Sequence, residues 1–125
     1  IFYNIEDMSR PKTPDVLSRI EEILLLAVWE LGEGAYGVPI RRRVGELLGR
    51  RISVGAVYVP LDRLVAAGLL SAEFGQPTAV RGGRRKRYYR LSPSGVAALR
   101  ETRRLTRRIW AGKPAVLRGT HYPRQ

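Results

Sequence analysis

The chain has 125 residues, the size of one ordinary domain, which excludes most multi-domain enzymes. Its 44% hydrophobic and 27% charged residues suit a folded core. With no cysteine and a single histidine, His121, disulfide frameworks, thiolate zinc sites, cysteine nucleophiles and His-rich metal sites are excluded by count.

The net charge is +12, and it is unevenly placed. Residues 81–125 hold 14 basic side chains against one acid, Glu101, whereas residues 1–80 nearly balance. A localised cationic surface predicts a polyanionic partner. No set of residues reads as a catalytic site, a metal site or a cofactor site, so the expectation is a binding protein and not an enzyme. The longest apolar run, Ile23 to Trp29, lies between Glu22 and Glu30 and falls well short of the roughly 20 residues that span a bilayer. The N-terminus shows no basic start followed by an apolar stretch and a small-residue cleavage site. Together these predict a cytoplasmic chain with no membrane partner.

Residues 1–13 read as a flexible N-terminal segment. From Val16 to Leu31 the apolar residues Val16, Leu17, Ile20, Ile23, Leu24, Ala27, Val28 and Leu31 recur with helical period, Pro14 and Asp15 suit the start, and Gly32 suits the stop. A second helix is predicted from about Gly37 to Leu48, with Ile40, Val44, Leu47 and Leu48 on one face and Arg41, Arg42 and Arg43 mostly on the other. Ser53 caps a third, whose inward stripe is Val57, Leu61, Leu64 and Val65 and whose end is Gly68.

The period then changes. Leu70–Phe74 and Lys86–Leu91 have strand character and are joined by a segment rich in turn formers, which predicts a β-hairpin with a long basic tip. Ser92-Pro93 starts a fourth helix that runs to about Ala111, before Gly112 and Pro114. Its stripe of Val96, Leu99, Leu105, Ile109 and Trp110 is too thin for a core helix. It suits a seam against one partner helix, with Arg100, Arg103, Arg104, Arg107 and Arg108 flanking it. Residues 112–125 read as a loose tail.

The predicted fold is therefore mainly α with a β-hairpin: a winged helix-turn-helix over residues 14–92 and a C-terminal helix over 93–111. In such folds the third helix enters the DNA major groove and the hairpin touches the flanking backbone. Ser53, Val54, Gly55 and Tyr58 lie at the start of that helix, where small residues allow close approach and exposed N–H groups favour phosphate. Arg84, Arg85, Lys86 and Arg87 sit in the wing, where long cations neutralise phosphates.

Three ordered motifs carry a resemblance. They are Leu31-Gly32…Tyr36-Gly37…Ile40; Ile52-Ser53-Val54-Gly55-Ala56-Val57-Tyr58…Leu61-Asp62-Arg63-Leu64…Gly68-Leu69-Leu70; and Gly82-Gly83-Arg84-Arg85-Lys86-Arg87-Tyr88-Tyr89-Arg90-Leu91-Ser92…Gly95…Leu99. Over about Leu17 to Trp110 the chain resembles the PadR family of bacterial transcriptional regulators, in its small subgroup with one helix after the wing. The resemblance implies a homodimer joined through the C-terminal helix, double-stranded DNA with a pseudo-palindromic operator as partner, repression as the usual outcome, and a small aromatic effector in some members. It places Tyr36, Ser53, Gly55, Tyr58 and Arg63 against DNA, and Val96, Leu99, Leu105, Ile109 and Trp110 in the dimer interface.

Two departures stand out. Family members often have proline directly after the tyrosine, but here Val59 intervenes before Pro60, which predicts a kink near Ala56. Drug-binding relatives use a tryptophan that would fall near Thr106, whereas this chain has Trp110 one turn later. An effector pocket would then involve Trp29, Thr106 and Trp110, or Trp110 plugs the dimer seam or packs on Trp29. Two other readings compete. A winged helix can bind RNA through the same phosphate chemistry. Gly32-Glu33-Gly34-Ala35-Tyr36-Gly37 matches a dinucleotide-binding fingerprint with Asp62 beyond it, but the preceding run has helical period, and Glu30 and Glu33 would repel a pyrophosphate.

Overall fold

The computed structural model describes residues 16–76 and 85–119. Helix α1 spans Arg19–Leu31. Its start lies later than Pro14-Asp15 because Ser18 forms a reciprocal capping box with Glu21. The Ser18 hydroxyl accepts from the Glu21 N–H at 3.2 Å, and the Ser18 N–H donates to the Glu21 carboxylate at 2.7 Å. Val16 is left exposed outside the helix. Gly32 ends α1 with a positive φ of 58° and leads into a 3₁₀ turn over Gly32–Gly34. The glycine fingerprint thus lies between two helices and not between a strand and a helix, which removes the dinucleotide reading.

Helix α2 spans Gly37–Leu48 and stops at Gly49, which is left-handed at φ 71°. Helix α3 spans Val54–Ala66, with the Ser53 hydroxyl accepting from the Ala56 N–H at 3.2 Å. Pro60 sits inside α3 and is buried, and the helix runs through it as one element. The three helices enclose a core of Leu24, Leu25, Val28, Ile40, Val44, Val57, Leu61, Leu64 and Leu69, all essentially without solvent contact. Leu25 belongs to that core although it falls off the stripe predicted for the first helix, while Leu47 of α2 is exposed.

Strands β1 (Leu70–Phe74) and β2 (Arg87–Leu91) pair antiparallel, from Leu70 opposite Leu91 to Phe74 opposite Arg87. Tyr89 points into the core and Tyr88 to the other face, as the two-residue period of a strand requires. The hairpin tip, including Arg84, lies outside the described residues.

Helix α4 spans Pro93–Trp110. The Ser92 hydroxyl fixes its start by accepting from the Gly95 N–H at 3.0 Å and donating to the Gly68 carbonyl at 2.7 Å. Gly95 is buried, and a Cβ there would overlap the Leu69 carbonyl oxygen and lie 2.6 Å from the Leu91 side chain. The helix packs against α1 and β2. Leu99 is half-buried and packs against the core of its own chain. Successive residues turn by about 100°, which gathers the five arginines into an arc of about 140° that borders the stripe of Leu105, Ile109 and Trp110, with Arg103 only about 20° from Trp110. After α4 the chain makes a 3₁₀ turn over Ala115–Arg118, within the segment expected to be loose.

Candidate nucleic-acid interface

The N-terminal end of α3 is open. Ser53, Val54, Gly55 and Ala56 are all exposed, Val54 at 52%. A Cβ on Gly55 would meet nothing within 4 Å, so this glycine is not there to let two elements of the chain pack. It leaves room for something from outside. One turn further, Val59 is 56% exposed, a residue whose sequence position gave no sign of a binding role. Among the residues placed against DNA, Arg63 is also exposed and has no ion pair among the described residues.

Beside α3 runs a groove of about 770 Å³ between α2 and the turn that follows it, lined by Val38, Arg41, Arg42, Arg50, Arg51 and Tyr58 among others. One acid, Glu46, is on its wall. The Arg41 Nε donates to the Ile52 carbonyl at 2.6 Å, which ties α2 to the residue before the Ser53 cap. Sequence reasoning misses these four arginines because they are split across the Gly49 turn, and only its left-handed backbone brings the two pairs together. Arg43, the third of the run, faces elsewhere. It pairs with Glu30 of α1 at 2.6 Å and Glu46 at 3.5 Å, and the bond to Glu30 raises its pKa above the ordinary arginine value.

The base of the wing is joined to the same place. Tyr36, which precedes α2, forms an isolated antiparallel bridge with Tyr88, and the Tyr89 N–H donates to the Ala35 carbonyl at 2.8 Å. The Tyr36 and Tyr88 rings meet edge to face at 5.5 Å, and the Lys86 ammonium stands 4.4 Å over the Tyr36 ring. Tyr36 is thus a half-buried joint between α2 and the wing and not a free side chain. Next to it, a Cβ on Gly37 would overlap the Tyr58 hydroxyl, so Tyr58 of α3 lies directly over Gly37 of α2. Tyr58 therefore spaces two helices and also lines the groove.

Arg87, one of the expected wing cations, also has a partner within the chain. It bonds Asp62 of α3 at 3.0 Å and lies 5.2 Å from the Tyr89 ring centre, so it braces the wing against α3. Burial pushes the Tyr89 phenol above its ordinary pKa, with Arg87 opposing the shift. Arg85 and Lys86 are exposed at the edge of the described wing.

The arrangement is a familiar one. The family model of the transcriptional regulator PadR-like family matches residues 25–101, which spans the second half of α1, the groove, α3, the hairpin and the start of α4. The chain belongs to the PadR-like family of transcriptional regulators. One relative, the transcriptional regulator Rv3488 of Mycobacterium tuberculosis, is 44% identical over 69 residues, which are 52% of this chain and 61% of that protein. The match thus spans about three-fifths of that relative's length. Two solved structures share the fold. A PadR-like transcription factor from Bacteroides fragilis has a TM-score of 0.62 at 24% identity, over 72% of this chain and 82% of that one. A PadR family regulator from Clostridium difficile has a TM-score of 0.62 at 23% identity, over 83% and 100%. The family is one of regulators and not of enzymes.

Elsewhere on this PadR-like chain, the apolar face of α4 is incompletely covered. Val96 and Leu105 are half-buried, while Ile109 is 54% exposed and Trp110 43%. On α1, Trp29 is 67% exposed. Trp29, Thr106 and Trp110 are all exposed. Among the described residues no helix is long and apolar enough to cross a membrane.

Proposed function

We propose that the protein is a homodimeric repressor that binds a pseudo-palindromic DNA operator. One observation carries this reading: the Tyr36–Gly37–Tyr58 junction holds the open end of α3, the arginine groove and the base of the wing on one side of the domain. Ser53, Val54, Gly55 and Val59 meet base edges in the major groove, where the two valines suit thymine methyl groups. Arg41, Arg42, Arg50, Arg51 and Arg63 line the phosphates on one flank, and Arg84, Arg85 and Lys86 of the wing those on the other. Residues 14–92 act as the DNA-binding unit and 93–111 as the dimerisation helix.

Two chains pair through the exposed apolar surface of α4, with Trp29 of α1 beside it. Exposed tryptophan and isoleucine on a helix with little core of its own favour burial against a second copy. Pairing sets two α3 helices about 34 Å apart, one turn of B-DNA, so that both enter successive major grooves from one face. Occupation of a promoter then excludes polymerase. Selection of bound fragments from genomic DNA tests the reading: recovery of a symmetric site supports it. Equal or tighter binding to matched duplex RNA overturns it.

A further inference from the structure

We propose that the arginine face of α4 is a second duplex-DNA surface, so that one dimer holds two DNA segments at once. The proposal rests on the DNA-binding reading above. Arg100, Arg103, Arg104, Arg107 and Arg108 are all exposed. At 100° per residue they occupy an arc of about 140° whose centre lies opposite Ile109, with Trp110 about 20° from its Arg103 edge. Pairing centred on Ile109 therefore leaves Arg100, Arg104, Arg107 and Arg108 in solvent, with Arg103 at its edge.

The helix that carries this face starts away from the first. Helix α4 begins beside Gly68 and Leu69, at the C-terminal end of α3, whereas the groove lies at the N-terminal end, about 20 Å away along a helix of 13 residues. It also begins at the end of β2 remote from the wing tip.

Its composition is not that of an ordinary solvated face. Exposed helices usually mix signs at i, i+3 and i, i+4, but here those spacings join arginine to arginine at 100–103, 100–104, 103–107, 104–107 and 104–108. A single acid, Glu101, answers them, and it pairs with Arg104; the other four have no ion pair among the described residues. Such repulsion is relieved by a dense polyanion. From Arg100 to Arg108 the helix rises about 12 Å, a length over which duplex DNA presents roughly seven phosphates on its two strands. Five guanidinium groups match that density, and arginine engages phosphate oxygens in pairs.

The test uses the full chain on beads that carry a random-sequence duplex, with a fluorescent duplex added afterwards at physiological salt. Wild-type protein is expected to bind the beads and capture the fluorescent duplex. The combined variant Arg100→Gln, Arg103→Gln, Arg107→Gln and Arg108→Gln should bind the beads as before but capture roughly tenfold less. These side chains are exposed, and unchanged circular dichroism verifies the fold. Equal capture by the variant, or bead binding by the wild type with no capture, overturns the proposal and leaves the first DNA face standing. Absence of bead binding sinks the DNA-binding reading itself, and this proposal with it. Displacement of the second duplex by polyglutamate as readily as by unlabelled duplex assigns the face to acidic chains instead and overturns the duplex assignment.

Discussion

Substituting Gly37 by alanine probes the junction on which the interface depends. A Cβ at this position overlaps the Tyr58 hydroxyl and stands 2.5 Å from Cζ and 3.0 Å from Cε1, well inside the roughly 3.5–4.0 Å of a relaxed carbon contact. Overpacking of this kind costs about 1–3 kcal/mol. Alanine's helix preference recovers less than about 1 kcal/mol of it, because Gly37 is the first residue of α2. A net loss of about 1–2 kcal/mol lowers Tm by about 4–16 °C for a domain of this size. Tyr58→Phe removes only the oxygen and leaves the ring carbon in conflict, so it should not rescue the substitution. Tyr58→Leu should. In a double-mutant cycle of Gly37→Ala with Tyr58→Leu by thermal unfolding, the pair should cost at least about 1 kcal/mol less than the sum of the single changes. Additivity within about 0.5 kcal/mol would refute the direct contact. DNA affinity should fall in Gly37→Ala, because the start of α3 and the wing base are pushed apart.

Other substitutions probe the wing, its brace and the two faces of α4. Arg85→Ala with Lys86→Ala should flatten the slope of log K against log salt by about 0.9 for each phosphate that is no longer neutralised, and an unchanged slope removes the wing base from the interface. Asp62→Asn breaks the brace to Arg87; because the pair is exposed, unfolding experiments should show a loss below about 1 kcal/mol, and a loss above about 2 kcal/mol would mean that the brace holds the fold and not merely the wing. Gly95→Ala drives a methyl group into the Leu69 carbonyl, so it should destabilise by about 1–3 kcal/mol in chemical denaturation; a neutral result would show that α4 sits farther from Leu69. Ile109→Glu should give monomers in sedimentation without loss of secondary structure, and an intact dimer would place the seam elsewhere.

Much of the architecture is legible in the chain because each level of signal agrees with the next. The apolar stripes of α2 and α3, the Ser53 and Ser92 caps, and the turn glycines all mark boundaries that recur in the structure. The start of α1 is misread from sequence because Pro14-Asp15 resembles a helix start, while the reciprocal Ser18–Glu21 box four residues on satisfies two backbone donors and wins. The interface is harder to read. Arg87 carries the composition of a wing cation, but its partner Asp62 is 25 residues away and only the hairpin's return brings it near. The groove arginines need the Gly49 turn to become neighbours, and Tyr36 and Tyr58 are joints because the elements meet on them. Leu99 has the spacing of an intermolecular seam, and only the packing of α4 reveals that it also touches the core of its own domain.

In the operator complex, two copies should present their α3 ends, arginine grooves and wings to one face of a single duplex. Hydroxyl-radical footprinting on a fragment recovered by genomic selection measures this directly. Two symmetric protected half-sites, centred one helical turn or a whole multiple of a turn apart and lying on one face of the duplex, are the predicted result. A single unpaired patch, or half-sites on opposite faces, would contradict it.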